Sequence, residues 1–163
     1  MKKLWAPWRI EYIRSKKDVG CIFCDKPKME DRNGLILFRG ENSFSLMNLY
    51  PYTNGHLMVA PFRHIDSFRG LDQVERLEIL EQIDRCIDAL SNILNPDGFN
   101  IGANLGESAG AGIKDHIHFH VVPRWTGDTN FMPVLGHTKV EVQGLQECYD
   151  LLMPHFDCIK IDK

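Results

Sequence analysis

The segment His116-Ile117-His118-Phe119-His120-Val121-Val122 constrains this chain more than any other. Its period is two. In a β-strand successive side chains point to opposite faces, so His116, His118 and His120 share one face while Ile117, Phe119 and Val121 share the other. The apolar face needs a cover, and the imidazole face must line something polar. The segment is expected to be a strand that Pro123 closes. Same-face neighbours on a strand lie ~6.6 Å apart and the outer pair ~13 Å apart, so three-fold ligation of one ion would be strained. Division of labour suits the spacing better: one imidazole is a nucleophile, and its neighbours orient it and bind charge around the reacting atom. A neutral imidazole nitrogen can attack phosphorus near neutral pH, and the resulting phosphoramidate passes its group onward.

The cover is expected to be a helix. Val74, Leu77, Leu80, Ile83, Ile87, Leu90 and Leu94 recur at steps of three and four, the period of an apolar helix face. Asp72 and Glu75 have capping-box spacing, and Asn95-Pro96-Asp97-Gly98 ends the run. Glu75, Arg76, Glu78, Glu81, Gln82, Asp84, Arg85 and Asp88 are expected to form the solvated face. Upstream, 35–39 and 44–48 flank Gly40-Glu41-Asn42 as a hairpin, 56–61 is a third strand and 99–103 a fourth. A weaker helix is expected over 142–153. This order does not alternate strand and helix one for one. It predicts an α+β fold: a largely antiparallel five-stranded sheet with one long helix and a shorter C-terminal helix. The chain is expected to be a single domain, with an arm over 1–20, a core over 21–135 and an extension over 136–163. Trp5, Trp8 and Tyr12 make the arm a packed one, either across a subunit boundary or as a wall of the ligand site.

Composition removes whole classes. The 163 residues carry a net charge of −3, which argues against a general nucleic-acid binder needing a basic face. No apolar run is long enough to span a bilayer, and no apolar stretch follows Lys2-Lys3 to make a secretory signal. Five cysteines, an odd number, point to a reducing cytoplasm rather than a disulfide framework. The loop Asn104-Leu105-Gly106-Glu107-Ser108-Ala109-Gly110-Ala111-Gly112, directly before the histidine strand, offers many backbone amides with little bulk. Such loops form anion nests. There is no GxxxxGK[ST] and hence no P-loop.

With these residues in view, the sequence resembles the histidine triad (HIT) family. The match is His-φ-His-φ-His-φ-φ at 116–122, supported by Asn48, Pro51, Gly55-His56 and Pro61 upstream and by Asn104, Gly106 and Ala109-Gly110 before the triad. The resemblance covers roughly 20–135. It implies a HIT-like fold, a homodimer joining two sheets, and nucleotidyl transfer through a covalent nucleotidyl-histidine. Carried over by position, His118 is the nucleophile and His120 contacts phosphate oxygens and helps the leaving group. His116 and His56 support them. Asn48 resembles the ribose-binding position. Asn104, with Gly110 and Gly112 in its loop, resembles the phosphate-binding segment. Ile22, Phe23, Leu46 and Leu57 fall where apolar residues hold the base. A third His, where uridylyltransferase relatives have Gln, favours the triad group proper. The segments 4–13 and 123–132 resemble the bacterial diadenosine tetraphosphate phosphorylase branch, in which inorganic phosphate accepts the nucleotidyl group to give ADP and ATP. One departure is Gly112-Ile113-Lys114-Asp115, where many members carry Ser, Thr or Gln as a donor to phosphate.

Cys21-Ile22-Phe23-Cys24 is half a zinc site, because tetrahedral zinc needs two more N or S ligands. The resemblance supplies His64 and His116, implying structural zinc on Cys21, Cys24, His64 and His116. Cys86, Cys148 and Cys158 read as structural thiols, and His137 and His155 as ordinary histidines. Two alternatives stay open: a HIT hydrolase of dinucleoside polyphosphates or nucleoside phosphoramidates, and a non-catalytic zinc-stabilised nucleotide-binding module.

Overall fold

A computed structural model describes residues 20–128 and 143–158. The arm with Trp5, Trp8 and Tyr12, and residues 129–132 of the second segment similar to the phosphorylase branch, lie outside the described residues, as does His137. The elements run in the order α1 (Ile22–Asp25), α2 (Asp31–Gly34), β1 (Ile36–Arg39), β2 (Ser43–Met47), β3 (Leu57–Pro61), α3 (Gln73–Leu94), β4 (Gly98–Gly102), β5 (Phe119–Arg124) and α4 (Leu145–Cys158). The five strands form one antiparallel sheet in the order β1-β2-β3-β5-β4. The fold is therefore the expected α+β class.

The sheet separates two apolar clusters. On one face α3 and α4 pack on Leu57, Val59, Ile117 and Val121. The opposite face carries Phe23, Ile36, Phe44, Leu46, Met58 and Ala60. Alternation decides this division: Leu46 pairs Met58 and Met58 pairs His120, so these side chains share the histidine face. Leu57 pairs Val121 and points to the helices.

Helix α3 begins as expected. The Asp72 side chain accepts from the Glu75 amide and Glu75 returns the bond to the Asp72 amide. Its buried face is rotated from the one expected. Val74, Leu77 and Leu80 are exposed, whereas Glu75, Gln82 and Arg85 are buried beside Ile79, Ile83, Cys86, Ala89 and Leu90. The cause is a set of polar partners that lie elsewhere in the chain. Glu75 receives two bonds from the Arg63 guanidinium. Gln82 bridges Ser43 and Ser45 on β2. Arg85 stacks on Phe38, 4.0 Å from its ring centre. Hydrogen bonding lets Glu75 and Gln82 be buried, and the Phe38 ring covers the Arg85 cation.

Strand β5 also departs from expectation. It starts at Phe119 rather than His116 and continues through Pro123 to Arg124, which pairs with Gly98. Proline removes one donor from the ladder, and the carbonyl of Pro123 still accepts from the Thr53 hydroxyl. Helix α4 starts at Leu145 and runs past the expected 153, with Pro154 inside it. Tyr149 anchors it by donating to the Ile36 carbonyl. Cys86 and Cys148 are buried thiols in the helix-side core, and burial pushes the Cys86 thiol up to about 12. The side chain of Cys158 lies outside the described residues. Among the described residues no helix is long and apolar enough to cross a membrane.

Candidate active site and metal centre

His116 and His118 lie just ahead of the paired part of β5, and His120 sits within it. All three are buried, as is His56 at the start of β3. Their hydrogen bonds define the tautomers, because a carbonyl can only accept and a backbone N–H can only donate.

His118 donates from Nδ1 to the carbonyl of His116 at 2.9 Å, which leaves its Nε2 lone pair free. Burial holds His118 below the ordinary histidine pKa, against a smaller opposite pull from that carbonyl. Its ring is therefore neutral at neutral pH and carries one nucleophilic nitrogen. The Phe23 ring stacks on it with centroids 4.5 Å apart.

A second relay fixes His120. The Tyr52 backbone N–H donates to His56 Nδ1 at 3.0 Å, and the Asn48 amide nitrogen lies 3.2 Å from the same atom. With Nδ1 accepting, His56 keeps its proton on Nε2 and donates it to His120 Nδ1 at 2.9 Å. The proton of neutral His120 then sits on Nε2, available to an oxygen in the site. Burial and the adjacent His118 push the His120 pKa down to about 4. The Tyr52 ring packs on both His56 and His120. The site thus places a bare nucleophilic nitrogen beside a neutral N–H donor.

His116 serves the neighbouring centre. It donates from Nε2 to the Pro61 carbonyl at 2.9 Å, so Nδ1 is the free nitrogen. That atom lies 3.2 Å from Cys21 Sγ and 3.6 Å from Cys24 Sγ, and His64 Nδ1 lies 3.4 Å from Cys24 Sγ. All four ligand atoms fall within 4.8 Å of one another. Tetrahedral ligands at zinc distances stand about 3.6 Å apart, so the cluster could hold a metal ion with little movement. Burial lowers the His116 pKa and raises that of Cys24. The cluster ties His118 to the start of the fold, since Phe23 lies between the two cysteines and stacks on His118, and His116 supplies the carbonyl that orients it.

The remaining expected site residues divide. Phe23 and Leu46 lie in one buried cluster on the histidine face, with Ile22 exposed beside them. Leu57 does not join them: it is fully buried in the core on the other side of the sheet. A one-residue step along a strand reverses its face, so Leu57 is removed from the base site. Asn48 lies at the His56 end of the relay, and its Oδ1 accepts from the Tyr50 amide. Asn104 borders a cavity with His120. Gly106 and Gly110 take positive φ values of 81° and 88°, as a nest requires, and Gly110 lies next to the Asn104 amide. Gly112 has open space around it.

Sequence reasoning missed Tyr52, Asn100, Arg124 and Asp128, which line that cavity. For Arg124 a signal existed. The period of two runs on from His120 through Val122 to Arg124, and Pro123, ordinarily a strand-closing residue, does not interrupt it. Tyr52 gave no signal, because both its main-chain N–H and its ring reach the histidines only through the folded turn before β3.

Comparison with known proteins bears on the whole arrangement. The model of the HIT domain matches residues 31–127. An AP-4-A phosphorylase of Mycobacterium tuberculosis is 38% identical over 161 residues, 93% of this chain and 83% of the relative. A bis(5'-adenosyl)-triphosphatase of Dictyostelium discoideum is 31% identical over 93 residues, 57% of this chain and 62% of the relative. Among solved structures, a Zn-bound histidine triad family protein from Mycobacterium smegmatis superposes with a TM-score of 0.66 at 26% identity. That superposition covers 85% of this chain and 94% of the other.

Proposed function

This chain belongs to the HIT domain family, and on that footing we propose that it transfers the adenylyl group of diadenosine tetraphosphate to inorganic phosphate, giving ADP and ATP. The observation that carries the reading is the free Nε2 of His118 set beside the Nε2 proton of His120. In the first half-reaction His118 Nε2 forms a bond to the α-phosphorus as the bond to the bridging oxygen breaks. The departing ATP oxygen leaves as an anion that accepts a hydrogen bond from the His120 Nε2–H, and that proton stays on His120. In the second, an oxygen of hydrogen phosphate attacks the same phosphorus, the P–N bond breaks and ADP leaves. The proton of the hydrogen phosphate stays with the ADP formed, and the P–N electron pair returns to His118 Nε2, restoring both histidines. Covalent transfer through one nucleophile divides a hard displacement into two easier ones.

The family resemblance supports further roles at this site: Asn48 for the ribose, Ile22, Phe23 and Leu46 for the base, and Asn104 with Gly110 and Gly112 for phosphate. Cys21, Cys24, His64 and His116 suit zinc as a structural ion, and the Zn-bound relative supports that choice. Zinc there would supply a rigid cross-link between α1 and the triad strand. We read the whole chain as one domain, acting in the cytoplasm. We also read it as a homodimer, because β4 is an edge strand and Ile101 on it is 49% exposed.

A second reading is hydrolysis, in which water replaces phosphate in the second half-reaction. The triphosphatase relative and the Gly112–Asp115 departure favour it. Product analysis with and without phosphate separates the two. ADP plus ATP only with phosphate supports phosphorolysis. AMP plus ATP regardless of phosphate means hydrolysis. No product from the wild type, or turnover by His118→Ala, refutes the mechanism; binding without a nucleotide adduct on His118 would leave a non-catalytic module.

A further inference from the structure

The histidine face of the sheet does not end at the triad. Beyond His120 lies a cavity of about 420 Å³ lined by Tyr52, Asn100, Gly102, Asn104, His120 and Arg124 among others, within the size range of small-molecule sites. It borders His120 but neither His118 nor Phe23. Its floor is built by register. Asn100, Gly102 and Gly98 pair with Val122, His120 and Arg124, so the side chains of Asn100, Val122, His120 and Arg124 all rise from the same face. Gly102, directly across from His120, contributes no side chain. A Cβ built there would meet nothing within 4 Å. The Arg124 guanidinium is fixed in the wall, donating to Asn100 Oδ1 at 2.7 Å and to both oxygens of Asp128.

We propose that this cavity seats the leaving nucleoside polyphosphate of the dinucleotide, and that Gly102 keeps it open. The inference rests on the adenylyl-transfer reading above. Displacement at phosphorus runs in line, with nucleophile and leaving oxygen on opposite sides. The His118 and His120 rings stand 5.0 Å apart and the cavity borders His120 but not His118, so a chain leaving opposite His118 runs past the His120 proton into the groove beyond. There the side-chain amides of Asn100 and Asn104 and the Arg124 cation offer donors to phosphate oxygens, while the half-exposed Tyr52 ring offers a stacking surface. The groove therefore selects for a substrate whose leaving group is itself a nucleotide, not for the adenylyl group that stays on His118.

The test separates the two halves of the reaction by the size of the leaving group. One assay is kcat/KM for diadenosine tetraphosphate. The other is exchange of labelled phosphate into ADP, which forms and breaks the same adenylyl-histidine with phosphate alone as the leaving group. Gly102→Val puts a branched side chain where the strand backbone accepts one. It is expected to lower dinucleotide turnover by about tenfold or more while exchange stays within about twofold, with a smaller loss in Gly102→Ala. Equal losses in both assays, or no loss in either, would overturn the proposal. If Gly102→Val fails to fold, the Gly102→Ala comparison decides on the same criterion. A wild-type enzyme that lacks both activities overturns the adenylyl-transfer reading and this proposal with it, an outcome visible without any variant.

Discussion

Glu78 should be one of the most costly exposed-face substitutions in this protein. Its spacing on α3 marks it as a solvated residue, yet its carboxylate clamps the β1–β2 turn. It accepts from the Ser43 amide at 2.9 Å, the Ser43 hydroxyl at 2.8 Å, the Asn42 side chain at 2.8 Å and the Asn42 amide at 3.0 Å. Gly40 permits this approach, since a Cβ there would stand 2.0 Å from Glu78 Oε1. Glu78→Ala removes the acceptor from all four donors. Asn42 is half-buried and can recover water, but Ser43 is fully buried. Two stranded donors at ~1–3 kcal/mol each predict a loss of ~2–6 kcal/mol. With an m-value near 2 kcal/mol/M, the urea midpoint falls by about 1–3 M. Glu78→Gln keeps one acceptor oxygen and should lose about a third as much. The pH dependence gives an independent check. Burial pushes the Glu78 pKa up, but the Asn42 and Ser43 donors outweigh it and hold the pKa below the ordinary glutamate value. A depressed carboxylate pKa means stability that is present above the unfolded pKa and lost as pH falls through the folded one. The wild-type advantage over Glu78→Gln should therefore shrink from about pH 4.3 downward. Chemical denaturation followed by circular dichroism measures both. A Glu78→Ala midpoint matching wild type at pH 7, or an advantage over Glu78→Gln that does not change with acid, would refute the clamp.

Three further outcomes are expected. Gly55 has φ of 72°, and a Cβ would fall 2.5 Å from Leu94 Cδ1 and 2.9 Å from Leu90 Cδ2, so Gly55→Ala should cost ~2–4 kcal/mol in denaturation. His56→Phe removes the donor that fixes the His120 tautomer; loss of one such bond predicts a ~10–100-fold fall in kcat with KM little changed, and a kcat within twofold of wild type would dismiss the relay. Untagged protein never exposed to chelator should carry near one zinc per chain by metal analysis, and Cys24→Ser should lose it and melt earlier; zinc-free wild type of undiminished stability would remove the structural ion.

The alternation at His116–His120 alone assigned the imidazoles to one face, and the capping box and apolar spacing alone located α3. These are local signals: dihedral periodicity and a cap depend on residues a few positions apart. Strand spacing also denied three histidines a common ion, whereas the place of His116 beside Cys21 and Cys24 was implied by the family resemblance. Tertiary structure decided what depended on partners distant in sequence. The buried face of α3 turned because Arg63, Ser43, Ser45 and Phe38 give its polar residues bonds or contacts that hydrophobic spacing does not encode. Leu57 left the site because a register shared with Val121, not apolar character, sets its face. The protonation pattern of the triad came from the His116 carbonyl and the Tyr52 amide, main-chain groups that every residue carries and that only the folded backbone aims.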